Sequence, residues 1–96
     1  MLNNKTIKAV GVLKILSSKT RFKIISELLK KEEGLCVKEL AEAVGISQSA
    51  VSHQLARLED KEIVSSCRIG QMICYCVKKT ALTKSIAEII SYFNKL

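Results

Sequence analysis

The stretch Val37 to Val64, VKELAEAVGISQSAVSHQLARLEDKEIV, constrains the fold more than any other part of this chain. Leu40, Ala41 and Val44 recur at helical spacing, so a short helix over 37–44 is predicted. Gly45 ends it, because a glycine just past a helix end adopts the left-handed conformation without a Cβ clash. Ser47 then stands where a side-chain oxygen caps the next helix, which is predicted from Gln48 to about Lys61. Val51, Leu55 and Leu58 are spaced by four and three and share one face. Two short helices joined by a glycine turn make a helix-turn-helix, whose second helix enters a DNA major groove about 12 Å wide. Such a helix must be apolar inside and slim and polar outside. The face opposite Val51 carries Ser49, Ser52, His53 and Ala56, edged by Gln48 and Arg57. Serine donates or accepts, glutamine pairs with adenine, and arginine pairs with guanine or phosphate. Recognition helices lead with their N-terminal residues, so Gln48, Ser49, Ser52 and His53 are predicted closest to base edges.

The flanks complete a known architecture. Ile7, Val10 and Leu13 mark a first helix over about 5–16. A second, over 19–31, carries Phe22, Ile25, Leu28 and Leu29 on its stripe. After Ile63 the pattern turns β-prone: Ile63-Val64 and Ile73 to Val77 read as a hairpin around Gly70. A last helix begins near Thr80, with an apolar face from Leu82 to Phe93 too broad for a helix that covers only its own core. The predicted class is mainly α with a small β-hairpin wing: about five helices plus two strands, a winged helix-turn-helix filling 1–96 as one domain. Arg68 and Gln71 of the wing are predicted to touch phosphates, contacts that position a module without reading sequence.

Composition agrees with a polyanion partner. The net charge is +7, and it is unevenly spread. Residues 1–31 carry net +7, residues 32–62 net −4 and residues 63–96 net +4. The acidic centre favours an alternative, a winged-helix protein-interaction module without a DNA role, since fold does not dictate function. Hydrophobic residues make up 48 % of the chain, more than a small monomer hides easily, which points to a subunit interface. The aromatics are few (Phe22, Tyr75, Tyr92 and Phe93), which argues against base stacking on single strands. No apolar run reaches the roughly 18 residues of a membrane span. Lys8 and Lys14 interrupt the N-terminal apolar stretch and no small-residue cleavage site follows, so no signal peptide is read there. The expected location is cytoplasmic, with four reduced cysteines. No acid–base pair, nucleophile constellation or phosphate-binding glycine loop suggests an enzyme.

Three stretches resemble the ArsR/SmtB family of winged-helix repressors. LSSKTRFKIISELL (16–29) is similar to that family's second helix, GLCVKELAEAVGISQSAVSHQLARLEDKEIV (34–64) to its cysteine-containing third helix and Ser-x-x-Val-Ser-His-x-Leu recognition helix, and SSCRIGQMICYCV (65–77) to its wing. The resemblance implies a homodimer built from the first and last helices. It also implies a repressor whose hold on an operator is weakened by a metal ion or an oxidant. The departures lie in sensing. Many metal-responsive members carry Leu-Cys-x-Cys-Asp at the third helix; here Cys36 is followed by Lys38 and Glu39. Zinc-responsive members use histidines and acids on the last helix, whereas His53 is this chain's one histidine.

Cys36, Cys67, Cys74 and Cys76 remain. No cofactor is required by this reading. Cys74 and Cys76 are two apart on a strand and point the same way, a spacing awkward for a disulfide but workable for a shared soft metal. A two-residue turn at Ile69-Gly70 would bring Cys67 to their face; a three-residue loop, 68–70, would put it on the other. The longer loop is favoured, because β-branched Ile69 resists positive φ. The ordinary reading is four small hydrophobes around a wing. Soft-metal binding and thiol redox sensing are its two competitors.

Overall fold

Four of the five helices begin where the sequence supplies a side-chain cap. In the computed structural model, which describes residues 3–95, the Asn3 side chain accepts from the Thr6 N–H at 2.9 Å and opens α1, Asn4–Leu16. Ser18 does the same for α2, Lys19–Leu29, and Ser47 for α4, Gln48–Asp60. Thr80 opens α5, Ala81–Asn94. Each such bond satisfies a backbone donor that a helix start leaves free. Between α2 and α4 lie a two-residue strand β1, Leu35–Cys36, and α3, Val37–Val44. Strands β2, Val64–Ile69, and β3, Met72–Val77, form the hairpin before α5. The domain expectation of 1–96 includes residues 1, 2 and 96, which lie outside the described residues.

The turn between α3 and α4 follows from Gly45. Its φ is +82°, and its N–H and that of Ile46 both donate to the Ala41 carbonyl, at 2.8 and 3.2 Å. The other end of α4 is less expected. Glu62 takes φ +64° without being glycine, and its carboxylate pairs with Lys78. That left-handed residue turns the chain so that Ile63 drops into the core, its N–H bonded back to Leu58 O at 3.0 Å. The core lies beneath α4, where Val51, Leu55 and Leu58 meet Ile24, Leu28 and Leu40, all at or near zero exposure. Arg21 joins the first two helices, donating from Nε to Ile15 O at 3.0 Å and from a terminal nitrogen to Lys14 O at 3.1 Å. Both carbonyls lie in the last turn of α1, where the helix supplies no donor four residues on, and Lys14 O also accepts from Ser17.

The sheet differs from the sequence reading in two ways. It has three antiparallel strands, in the order β1-β3-β2, because Leu35 and Cys36 pair with Tyr75 and Cys74. The hairpin closes with Ile69 opposite Met72, so Gly70 and Gln71 are the loop, and neither the favoured loop 68–70 nor the turn at Ile69-Gly70 is formed. Gly70, at φ +62°, takes the first loop position, which a tight hairpin turn reserves for glycine, and Ile69 stays in the strand with no positive φ to resist. Cys67 therefore pairs with Cys74, and with Cys76 all three point to one face.

Gly34 sits where the chain enters β1, at φ +95°. A Cβ there would lie 2.7 Å from the Tyr75 carbonyl oxygen and 2.9 Å from Cys67 Sγ. The first contact is backbone and cannot rotate away. Gly34→Ala is expected to cost about 2–3 kcal/mol, from the left-handed conformation and the clash together. In a domain of this size that lowers the melting temperature by about 10–20 °C, readable by circular dichroism. A melt within two or three degrees of wild type would show that β1 can lift off β3.

Candidate nucleic-acid interface

Helix α4 divides along its length as the spacing requires. Val51, Leu55 and Leu58 are fully buried, while Gln48, Ser49, Ser52, His53, Ala56 and Arg57 are exposed. Among the described residues nothing covers the serine side. From Gln48 to Arg57 the face runs about 13 Å, at about 1.5 Å per residue. Ser47 and Ser49 hydroxyls sit 3.3 Å apart at its N-terminal end, where the helix dipole and open N–H groups favour a phosphate. Glu59 and Asp60 lie at the opposite end, away from the reading residues. Small side chains let the helix approach a duplex closely; a bulky or acidic face would not.

The wing residues are equally free. Arg68 lies exposed on β2, and Gln71 is exposed in the turn itself. The structure thus presents five of the seven sequence-predicted DNA residues on one helical face and the other two on the hairpin that follows. One basic group was not foreseen. Lys14 of α1, Arg21 of α2, and Arg57 and Lys61 at the end of α4 line one cleft of about 230 Å³. The sequence shows their charges, but only packing brings α1 beside the end of α4.

The cysteines form a second assembly, and here an expectation fails. Cys36 and Cys74 are joined in a disulfide in this structure, which therefore carries two free thiols where four were expected. Their opposition across β1 and β3 brings the Cα atoms to 3.9 Å, a proximity set by the strand that sequence reading missed. Cys36 also precedes α3, and its N–H donates to Glu39 Oε1 at 3.0 Å. Both bonded cysteines are buried, at 6 % and 0 % exposure, whereas Cys67 and Cys76 keep partly exposed thiols. Burial pushes the Cys76 thiol up to about 11, reinforced by its hydrogen bond to Cys67 and the charge there. With two sulfurs bonded to each other, two thiols remain. Among the described residues no group of three or more His, Cys, Asp or Glu is placed to hold a metal ion. His53 stands on the exposed face of α4.

At the two ends of the chain apolar side chains face outward. Ile7, Val10 and Leu13 on α1 are 45–58 % exposed, and Tyr92 and Phe93 on α5 are 61 % and 52 % exposed. Phe93 meets Phe22 of α2 edge to face, with ring centroids 6.5 Å apart, so α5 is held against α2 while its last turn stays open. No helix among the described residues is long and apolar enough to cross a membrane.

Residues 18–66 match the family described as "Bacterial regulatory protein, arsR family". The chain is 37 % identical over 85 residues to the transcriptional repressor SdpR of Bacillus subtilis, covering 88 % of this chain and 92 % of that one. Its fold resembles the crystal structure of the antimony-specific transcriptional repressor AntR, with TM-score 0.77 and 29 % identity over 99 % of this chain and 86 % of that one. It also resembles HlyU from Vibrio cholerae, with TM-score 0.78 and 28 % identity over 96 % and 98 % of the two chains. The helix-turn-helix, the wing and these likenesses agree: the chain belongs to the ArsR family of bacterial regulatory proteins and is a DNA-binding transcriptional regulator with a winged helix-turn-helix fold.

Proposed function

We propose that this protein is a homodimeric repressor that lays α4 in the major groove of its operator and lets go when its thiols are oxidised. The observation that carries the reading is the uncovered serine side of α4, polar and small outside and wholly buried beneath. Arg68 and Gln71 then fix the register on phosphates, and the cleft of Lys14, Arg21, Arg57 and Lys61 adds positive charge beside α4. The exposed apolar faces of α1 and α5 supply the dimer contact, which sets the spacing of two half-sites. Leu13→Asp combined with Phe93→Asp is expected to give monomers by analytical ultracentrifugation and to weaken operator binding.

The reading is tested by selecting bound genomic fragments and measuring affinity against salt. Binding should fall steeply as salt rises, because lysines and arginines displace counterions from phosphate. Ser52→Ala with His53→Ala should narrow the gap between operator and random DNA by about 1–3 kcal/mol per lost base contact, leaving nonspecific binding nearly intact. A double variant with full discrimination would assign reading to another surface.

Release by oxidation is supported by where the disulfide lies. It ties Cys36, beside the first turn of α3, to Cys74 in β3 of the wing. Those are the two elements on either side of the recognition helix. Closing the bond fixes their spacing, and opening it frees them. A coupling of about 1–3 kcal/mol is typical between two such sites, or about 5–150-fold in operator affinity. Reduced protein is expected to bind more tightly than oxidised protein, and Cys36→Ser to bind equally under both conditions.

A further inference from the structure

The disulfide that this switch needs is walled in. Cys74 is fully buried and Cys36 nearly so, so a soluble reagent does not reach either sulfur in the folded protein. Cys67 is different. It pairs directly with Cys74 across β2 and β3, on the side away from Cys36, and keeps a partly exposed thiol. Directly opposed residues on antiparallel strands project to the same face. The strand order β1-β3-β2 therefore sets three cysteines abreast, Cys36, Cys74, Cys67, with Cys74 in the middle.

We propose that Cys67 is a relay thiol, through which the Cys36–Cys74 bond is made and broken by disulfide exchange with low-molecular-weight thiols and disulfides. The inference deepens the redox reading above and rests on it for its biological use. Exchange is a displacement at sulfur, and it proceeds fastest when attacking, central and leaving sulfurs are in line. The row across the sheet places the three residues in that sequence, and rotation of the Cys67 side chain away from Glu33 O and Cys76 brings its sulfur to Cys74.

In the oxidising direction, the Cys67 thiolate attacks a small disulfide, RSSR, giving Cys67–SR and releasing RS⁻. The Cys74 thiolate attacks Cys67 Sγ, forming Cys67–Cys74 and releasing a second RS⁻. The Cys36 thiolate attacks Cys74 Sγ, forming Cys36–Cys74 and returning Cys67 as thiolate. Two protein thiols are oxidised, one RSSR becomes two RSH, and the two protons pass from the protein to the released thiolates. Reduction runs the same steps backward. Cys76 is the thiol that bonds to Cys67, but it lies opposite Ser65 and not opposite either bridge cysteine, so it is not in the row. Its raised pKa also keeps it protonated near neutrality.

Gly34 keeps the relay compact. A side chain there would press on Cys67 Sγ at 2.9 Å and on Cys76 Sγ at 3.3 Å, so the absence of one leaves room for Cys67 beside β3.

The test starts from fully reduced protein and uses oxidised glutathione as the probe, with samples quenched in acid, alkylated and mapped by mass spectrometry. Wild type should accumulate the Cys36–Cys74 link. Cys67→Ser should reach the same link at least tenfold more slowly, and Cys76→Ser at the wild-type rate. Cys36→Ser, which lacks the final acceptor, should stop with Cys67 linked to Cys74. A Cys67→Ser variant that oxidises at the wild-type rate, or a Cys36→Ser variant without the Cys67–Cys74 link, would overturn the relay. Melting curves of each variant confirm that folded protein is compared. Operator affinity is read separately. Unchanged affinity with a working relay would remove the redox control of DNA binding and leave the relay standing.

Discussion

Leu55→Ala is expected to destabilise the protein by about 3–4 kcal/mol, the middle of the range for truncating a fully buried leucine. Leu55 has zero exposure and sits between Val51 and Leu58 on the underside of α4. Its surroundings belong to the shared core of α2, α3 and the first residues of β2, where Ile24, Leu40 and Val64 are also fully buried. Elements held from several directions cannot all move inward, so most of the vacated volume stays empty. Domains of this size have about 5–15 kcal/mol of stability in total, so the loss is a large fraction. The melting temperature should fall by about 15–25 °C. The functional consequence follows from position: the same side chain that anchors the core sets how far α4 stands off the domain. DNA binding should weaken even at temperatures where the variant remains folded. Leu55→Met conserves volume and is expected to cost under about 1.5 kcal/mol. Urea unfolding of the three proteins checks this, and a Leu55→Ala loss below about 1 kcal/mol would mean that the core closes over the gap.

What the sequence made legible was governed locally. Gly45 ends α3, Ser47 opens α4, and the four-and-three spacing of Val51, Leu55 and Leu58 acts within one helix. No distant partner is needed to decide any of these, and the reading face of α4 follows from them. The illegible features all depend on distant pairing. Strand β1 is two residues long, too short to show alternation, and exists because β3 offers it an edge. The Cys36–Cys74 bond spans 38 residues and needs that same pairing. The wing register turned on whether Gly70 begins or ends the loop, a choice made by the whole ladder from Val64–Val77 to Ile69–Met72. Glu62 at positive φ had no signal at all; its ion pair with Lys78 appears only once β3 has returned beside the end of α4. The exposed stripes of α1 and α5 were readable as a surplus of apolar residues, although which of them faced outward was not.

Ser52→Glu is expected to reduce DNA affinity at least a hundredfold while leaving the fold intact. Ser52 is exposed in the middle of α4, clear of the core, so an acidic replacement there should change stability by no more than about 0.5 kcal/mol. In the major groove the same carboxylate would face a field of phosphates and base acceptors. Like-charge contacts of that kind cost several kcal/mol, and about 2.8 kcal/mol already makes a factor of about 100. The loss should be as large on random DNA as on the operator, because repulsion by phosphate does not depend on sequence. Ser52→Ala with His53→Ala should behave oppositely, losing discrimination and keeping nonspecific affinity. The pair of outcomes separates charge from reading. Raising salt should narrow the gap between Ser52→Glu and wild type, since screening weakens the repulsion along with the attraction. If Ser52→Glu binds operator as wild type does, α4 does not enter the groove, and the exposed serines of this helix serve some other partner.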